Sequence, residues 1–297
     1  MLRPSGLFAW LVITLTGCAG TVEERALPTS IDDPSPVAPA ALDARSGPEP
    51  PGHADVAKDP IEELVVAMRD ARRSRLRPRT VPLVVTELQQ LETLLRVTPP
   101  EARDHPMLLR RIAEDYAELE TAAAPDPRKV EAARAGAIRA YSDLLATRLA
   151  SYPLVDEVEY YLALEYERAG ELPSARRLYL ELITRSPASR YVPLAYFAFG
   201  EAFWREAQAD PSKLDLAKEA FLEVTKSPPP DDRAFGWAWI RLGQVAEKQG
   251  DRNAAANAYH HAEDYAREYP QVPGASITVA IPAWVEGVTG PTVSATP

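Results

Sequence analysis

Between Pro106 and Pro270 the sequence repeats a two-helix pattern at intervals in the thirties and forties of residues, and a period of that size constrains the architecture before any single element does. The clearest unit runs from about 156 to 189. Leu162, Ala163 and Tyr166 mark one face of a first helix, Gly170 makes the turn, and Ala175, Tyr179 and Leu182 mark a second helix that ends at Pro187. The next unit, about 193–230, carries Tyr196, Phe199, Gly200 and Phe203, then Ala217, Phe221 and Val224, and closes at Pro229. It is longer between its helices, so Ala207 to Ser212, containing Asp210-Pro211, is expected as a lengthened turn. A third unit, about 236–270, has Trp239, Leu242 and Gly243, a turn at Gly250-Asp251, and Ala255, Tyr259 and Ala262. Upstream, about 106–150, Leu109, Ile112, Ala113 and Tyr116 followed by Ala137, Tyr141 and Leu144 form a divergent unit, whose overlong turn is expected through Ala122 to Val130.

Residues 60–105 read as N-terminal capping helices. Asp59 is placed as an N-cap, Pro60 as a first-turn proline, and Ile61, Leu64, Val65 and Met68 form one stripe of a helix expected to run to Leu76 and to stop at Pro78. Its end carries Arg69, Arg72, Arg73, Arg75, Arg77 and Arg79. These could touch anionic lipid headgroups, but arginines at a helix C-terminus read first as a solvated face that complements the dipole. A second helix, Val81 to Val97, carries Leu88, Leu91, Leu94 and Leu95. The tail from 271 to 297 is irregular, broken by prolines and glycines. Its Ile277, Val279, Ile281 and Trp284 are expected to pack as an extended strip on the last helix pair, with a partner-docking peptide as the other reading.

The repeated units resemble the tetratricopeptide repeat, a hairpin of about 34 residues with Leu-Gly-x-x-Tyr on its first helix, Ala and Phe/Tyr on its second, and a closing proline. Small residues at the crossing let the two helices approach, and large ones fill the gap to the next pair. Glu159 stands where that family often has Trp. The resemblance implies an all-α solenoid of helical hairpins over 106–270, with a concave groove lined by the first helices. That register places Tyr160, Leu164, Phe197, Glu201, Trp204, Trp237, Ile240 and Gln244 on the groove side as a candidate protein-binding surface; for its aromatics, groove and inter-hairpin core are equal readings. Members of the family that bind chaperones clamp a terminal carboxylate with Lys and Asn on this face. Those residues are missing here, so an apolar or mixed peptide is the expected ligand.

The chain begins with Arg3, an apolar stretch from Leu7 to Leu15, and Leu15-Thr16-Gly17-Cys18. That order reads as a secretory signal over 1–17. The apolar stretch, about nine residues, is well short of the roughly 20 that span a bilayer. Leu15 to Cys18 resembles the bacterial lipobox, which implies cleavage after Gly17 and lipidation of Cys18, the only cysteine of the sequence. From 18 to 59 the sequence is poor in aromatics and rich in proline, and it reads as a disordered tether reaching at most ~130 Å if fully extended in polyproline form.

With 33 basic and 43 acidic residues the net charge is −10, which argues against nonspecific nucleic-acid binding. His53, His105 and the adjacent His260 and His261 do not make a metal pair, because neighbours at i and i+1 diverge by about 100° on a helix. Glu157, Glu159, Glu165 and Glu167 read as a solvated face. Neither a phosphate loop nor a nucleophile elbow appears, so the expectation is no enzyme, no metal and no cofactor.

Signal, tether and repeats together resemble outer-membrane repeat lipoproteins: those of myxobacterial gliding motility, to which Tyr152 to Ala163 is most similar, and more distantly the repeat lipoprotein of the barrel assembly machinery and the secretin pilotins. The resemblance implies a scaffold on the periplasmic face of the outer membrane that binds envelope proteins through the groove and the membrane through the lipid. The alternative is a subunit that activates or positions a peptidoglycan enzyme.

Overall fold

The computed structural model describes residues 60–70, 72, 79–147, 152–227, 234–270 and 280–287; Cys18, the signal, the tether and the expected contacts of Ile277 and Val279 lie outside them. Ten α-helices run through the described residues, with no strand among them: α1 Pro60–Arg69, α2 Val81–Val97, α3 His105–Ala122, α4 Pro127–Ala146, α5 Val155–Arg168, α6 Leu172–Arg185, α7 Val192–Glu206, α8 Lys213–Val224, α9 Ala234–Lys248 and α10 Arg252–Glu268. The helices α3/α4, α5/α6, α7/α8 and α9/α10 pack as consecutive hairpins, each stacked on the next, as an all-α hairpin solenoid. Among the described residues no helix is long and apolar enough to cross a membrane.

Local chemistry sets these boundaries. Pro82, Pro106, Pro127, Pro173 and Pro193 stand in first turns, where the missing N–H costs nothing. Asp126 caps α4 by accepting from the N–H of Arg128 and Lys129 at 3.2 and 3.4 Å, and Asp251 caps α10 by accepting from Ala254 at 2.9 Å. Gly170 and Gly250, at φ 79° and 78°, end α5 and α9 in the left-handed conformation that only glycine takes without strain. In each case the next residue closes the turn: Glu171 N–H donates to Tyr166 O and Asp251 N–H to Ala246 O, both at 2.9 Å.

The hairpin crossings are close. A Cβ added at Gly243 on α9 would meet the Tyr259 ring of α10 at 2.5 Å, and Gly200 on α7 faces Phe221 of α8 in the same way. In the first hairpin the roles are reversed, with Gly136 on α4 against Tyr116 on α3. That hairpin also departs from the expected long turn: only residues 123–126 separate α3 from α4, because the extra length is absorbed into helices of 18 and 20 residues. The lengthened turn at 207–212 is present as expected.

Helix α2 packs on α3 and closes the front of the stack with Val84 and Leu88. Helix α1 packs elsewhere and breaks at Asp70; Arg72 is again helical, and residues 73–78, up to the expected stop at Pro78, lie outside the described residues. The Asp70 carboxylate accepts from the Arg72 backbone N–H at 3.2 Å and from its Nε at 2.9 Å, a cap-type contact at the break between α1 and the helical Arg72. Val65 and Met68 of α1 enter the core cluster of the last two hairpins, beside Phe197, Trp237 and Ile240. At the far end the described part of the tail includes a short 3₁₀ turn, Ala283–Gly287, packed on α10. There Val285 is fully buried, Trp284 meets the Tyr259 ring edge-on at 6.2 Å, and its indole N–H donates to Glu247 at 3.1 Å.

Candidate functional site

The first helices α5, α7 and α9 carry all eight positions expected on the groove, and the structure divides them. Tyr160, Leu164, Phe197, Trp237 and Ile240 are buried, each at most 4% exposed. Of the two readings, groove and inter-hairpin core, these five positions are core. Part of the cover is the chain itself. Val65 and Met68 share a core cluster with Phe197, Trp237 and Ile240, and the Tyr160 hydroxyl donates to the Arg69 carbonyl at 2.8 Å. The remaining three positions meet around one arginine. Arg241 donates to both Glu201 oxygens at 2.5 and 2.9 Å and to Gln244 at 2.7 Å, and its guanidinium lies 5.8 Å from the Trp204 ring centre. Lys248 covers the same ring at 4.4 Å, leaving Trp204 half-buried.

Arg69, Asp70, Arg72 and Arg79 meet the hairpins in reverse order. Arg69 forks onto both oxygens of Glu167 at 3.0 and 2.5 Å and donates to the Tyr179 hydroxyl at 3.2 Å. Arg72 reaches Glu165 at 2.5 Å and the Tyr141 hydroxyl at 3.1 Å, and stacks 4.2 Å above the Tyr161 ring. Asp70 accepts from Arg168 at 2.7 Å. Farther along, Arg79 pairs with Glu118 and Asp115 of α3 at 2.5 and 2.9 Å. The arginine run is therefore no solvated face at these positions, nor are Glu157, Glu159 and Glu165, each at most 6% exposed. Glu159 pairs with Arg185 at 2.6 Å. Charged groups enter an interior at a cost that pairing offsets, and here each of these carboxylates faces an arginine.

Electrostatics follow the pairing. Burial opposes ionisation of Asp70, but the Arg72 and Arg168 guanidiniums outweigh it and hold its carboxyl well below the usual range. For Glu167 the same contest, against Arg69 and Arg205, leaves the carboxyl at about 2. Asp115 goes the other way: burial, aided by Glu87, raises it to about 6 although Arg111 and Arg79 pull it down. Among the described residues no group of three or more His, Cys, Asp and Glu side chains is arranged to hold a metal ion. His261 stacks on Trp239 at 4.2 Å, and His260 lies 3.0 Å from Glu263.

Sequence reasoning missed Arg69, Asp70, Arg72, Glu165, Glu167 and Arg168 as a connected set. A signal was present: acidic residues in α5 fall on every side of a helix whose hairpin neighbours leave little solvated surface. A comparison with protein-family models, with curated proteins and with solved structures finds no match.

Proposed function

We propose that the chain is a noncatalytic scaffold lipoprotein of the tetratricopeptide-repeat type, anchored through Cys18 to the periplasmic face of the outer membrane. It binds proteins of an envelope complex serving gliding motility, secretion or outer-membrane protein assembly. The observation that carries the binding reading is that the first-helix face already holds a helical segment, by an apolar contact at Val65 and Met68 and by carboxylates at Glu165 and Glu167. A surface that accepts one amphipathic helix has the chemistry to accept another. The anchor reading is supported by Leu15-Thr16-Gly17-Cys18 and by the lone cysteine.

A photoreactive side chain in place of Trp204, activated in intact envelopes, tests the binding. A defined envelope protein joined at that position is expected, and crosslinks to phospholipid alone would overturn the reading. Labelling with a fatty-acid probe tests the anchor: Cys18→Ala is expected to abolish acylation and release the protein from membranes, and unchanged acylation would refute it.

A further inference from the structure

The geometry points to a regulation of the groove that rests on the scaffold reading: helix α1 with Asp70 and Arg72 is a displaceable resident ligand. The partner segment that replaces them is a short helix with two aliphatic residues three apart, an arginine directly after, and a second arginine three residues on. That is the pattern by which the resident binds, as Val65, Met68, Arg69 and Arg72.

Two observations separate an exchangeable ligand from a fixed strut. The first is the bookkeeping of charge. Removing one member of a buried ion pair is strongly destabilising when it leaves the other unpaired. Here each carboxylate that the segment engages keeps an arginine of the solenoid: Glu165 has Arg168 at 3.3 Å, and Glu167 has Arg205 at 3.2 Å. The segment in turn carries its own internal pair, Asp70 with Arg72 at 2.9 Å. Both sides therefore leave with partners. The second is cover. Val65 and Met68 are each 4% exposed while Val66 between them is 39% exposed, so the apolar half of the segment lies on the face with one side open to solvent, whereas Arg69, Asp70 and Arg72 are buried in their pairs. The acidic partners also select charge: an aliphatic helix without the arginines would leave Glu165 and Glu167 with fewer donors than the resident supplies.

The full-length chain, purified in detergent, can be titrated with a fluorescein-labelled peptide of residues 60–72 and followed by anisotropy. Met68→Asp weakens the resident copy alone, and the labelled peptide is expected to bind that variant at least tenfold tighter than the wild type. The same peptide carrying Arg69→Glu and Arg72→Glu is expected to lose at least tenfold. A Met68→Asp chain that keeps its helical circular dichroism but binds the peptide no better than wild type overturns the proposal, because the segment is then a strut. Arg69→Ala is the second variant, read in the same way; loss of helical signal in both also overturns it, since a displaceable ligand is not required for folding. A wild-type dimer in light scattering that disappears in the variants would assign the occupant to a second copy and overturn the foreign partner. A protein crosslinked at position 204 alongside a segment that does not exchange leaves the scaffold reading standing and removes only this one.

Discussion

Replacing Trp237 by Ala removes the largest of the fully buried side chains among the described residues, 1% exposed and set in the cluster that joins α1, α7 and α9. Truncating a buried tryptophan typically costs ~3 to 5 kcal/mol through lost transfer energy and the cavity left behind. One feature reduces that figure. The indole N–H finds no acceptor among the described residues, and an unsatisfied buried donor carries a penalty of about 1 kcal/mol or more that the substitution removes. The net expectation is a loss of about 3 kcal/mol, which in a domain of this size lowers the melting temperature by roughly 6 to 12 °C. Trp237→Phe keeps most of the volume without the unpaired donor and is expected to lose less than half as much. Trp204→Ala is the control: its ring is half-buried under Lys248 and Arg241, and a cation–π contact at a partly exposed site is worth ~1 kcal/mol. Thermal melts followed by circular dichroism at 222 nm decide the matter. A Trp237→Ala variant melting within about 2 °C of the parent would refute the reasoning, because it would mean that the indole does not sit in a packed interior.

Gly243→Ala gains ~1 kcal/mol of helix propensity but sets a methyl against the Tyr259 ring, which its hydrogen bond to Glu247 at 2.8 Å holds in place. Overpacking of ~1 to 3 kcal/mol is expected to win, and a denaturant midpoint at or above the parent's would contradict the tight crossing. Glu167 makes the stability pH-dependent. Its carboxyl lies at about 2 in the folded chain against 4.5 ordinarily, so its contribution is fully present above 4.5 and is lost as pH falls through about 2. The drop is worth roughly 3 kcal/mol, and Asp70, lowered by the same kind of pairing, acts in the same direction. Glu167→Gln is therefore expected to flatten the urea midpoint between pH 5 and pH 2; an unchanged slope would remove the Arg69–Glu167 pair from the account.

The hairpin stack was legible in the chain because its signals are local. Proline in first turns, Gly170 and Gly250 at positive φ, and the small residues Gly200 and Gly243 at the crossings act within one hairpin of about 35 residues, and periodicity brings them out. The register of the first helices was equally local, but it did not separate Glu201, Trp204 and Gln244, which meet at Arg241, from the five buried positions beside them. What covers that face was not. A stripe such as Leu64, Val65 and Met68 states only that a helix has a side to bury, and a run of arginines states only that anions are welcome. Both are satisfied equally well by solvent, lipid or a distant helix. The choice was made by partners some 70 to 110 positions away, Tyr141, Glu165, Glu167 and Tyr179, which come within hydrogen-bond reach only once the hairpins have stacked. The reason is physical: backbone preferences and capping act over a few residues and are written in sequence order, whereas the pairing of a buried charge depends on which surfaces the completed stack brings together.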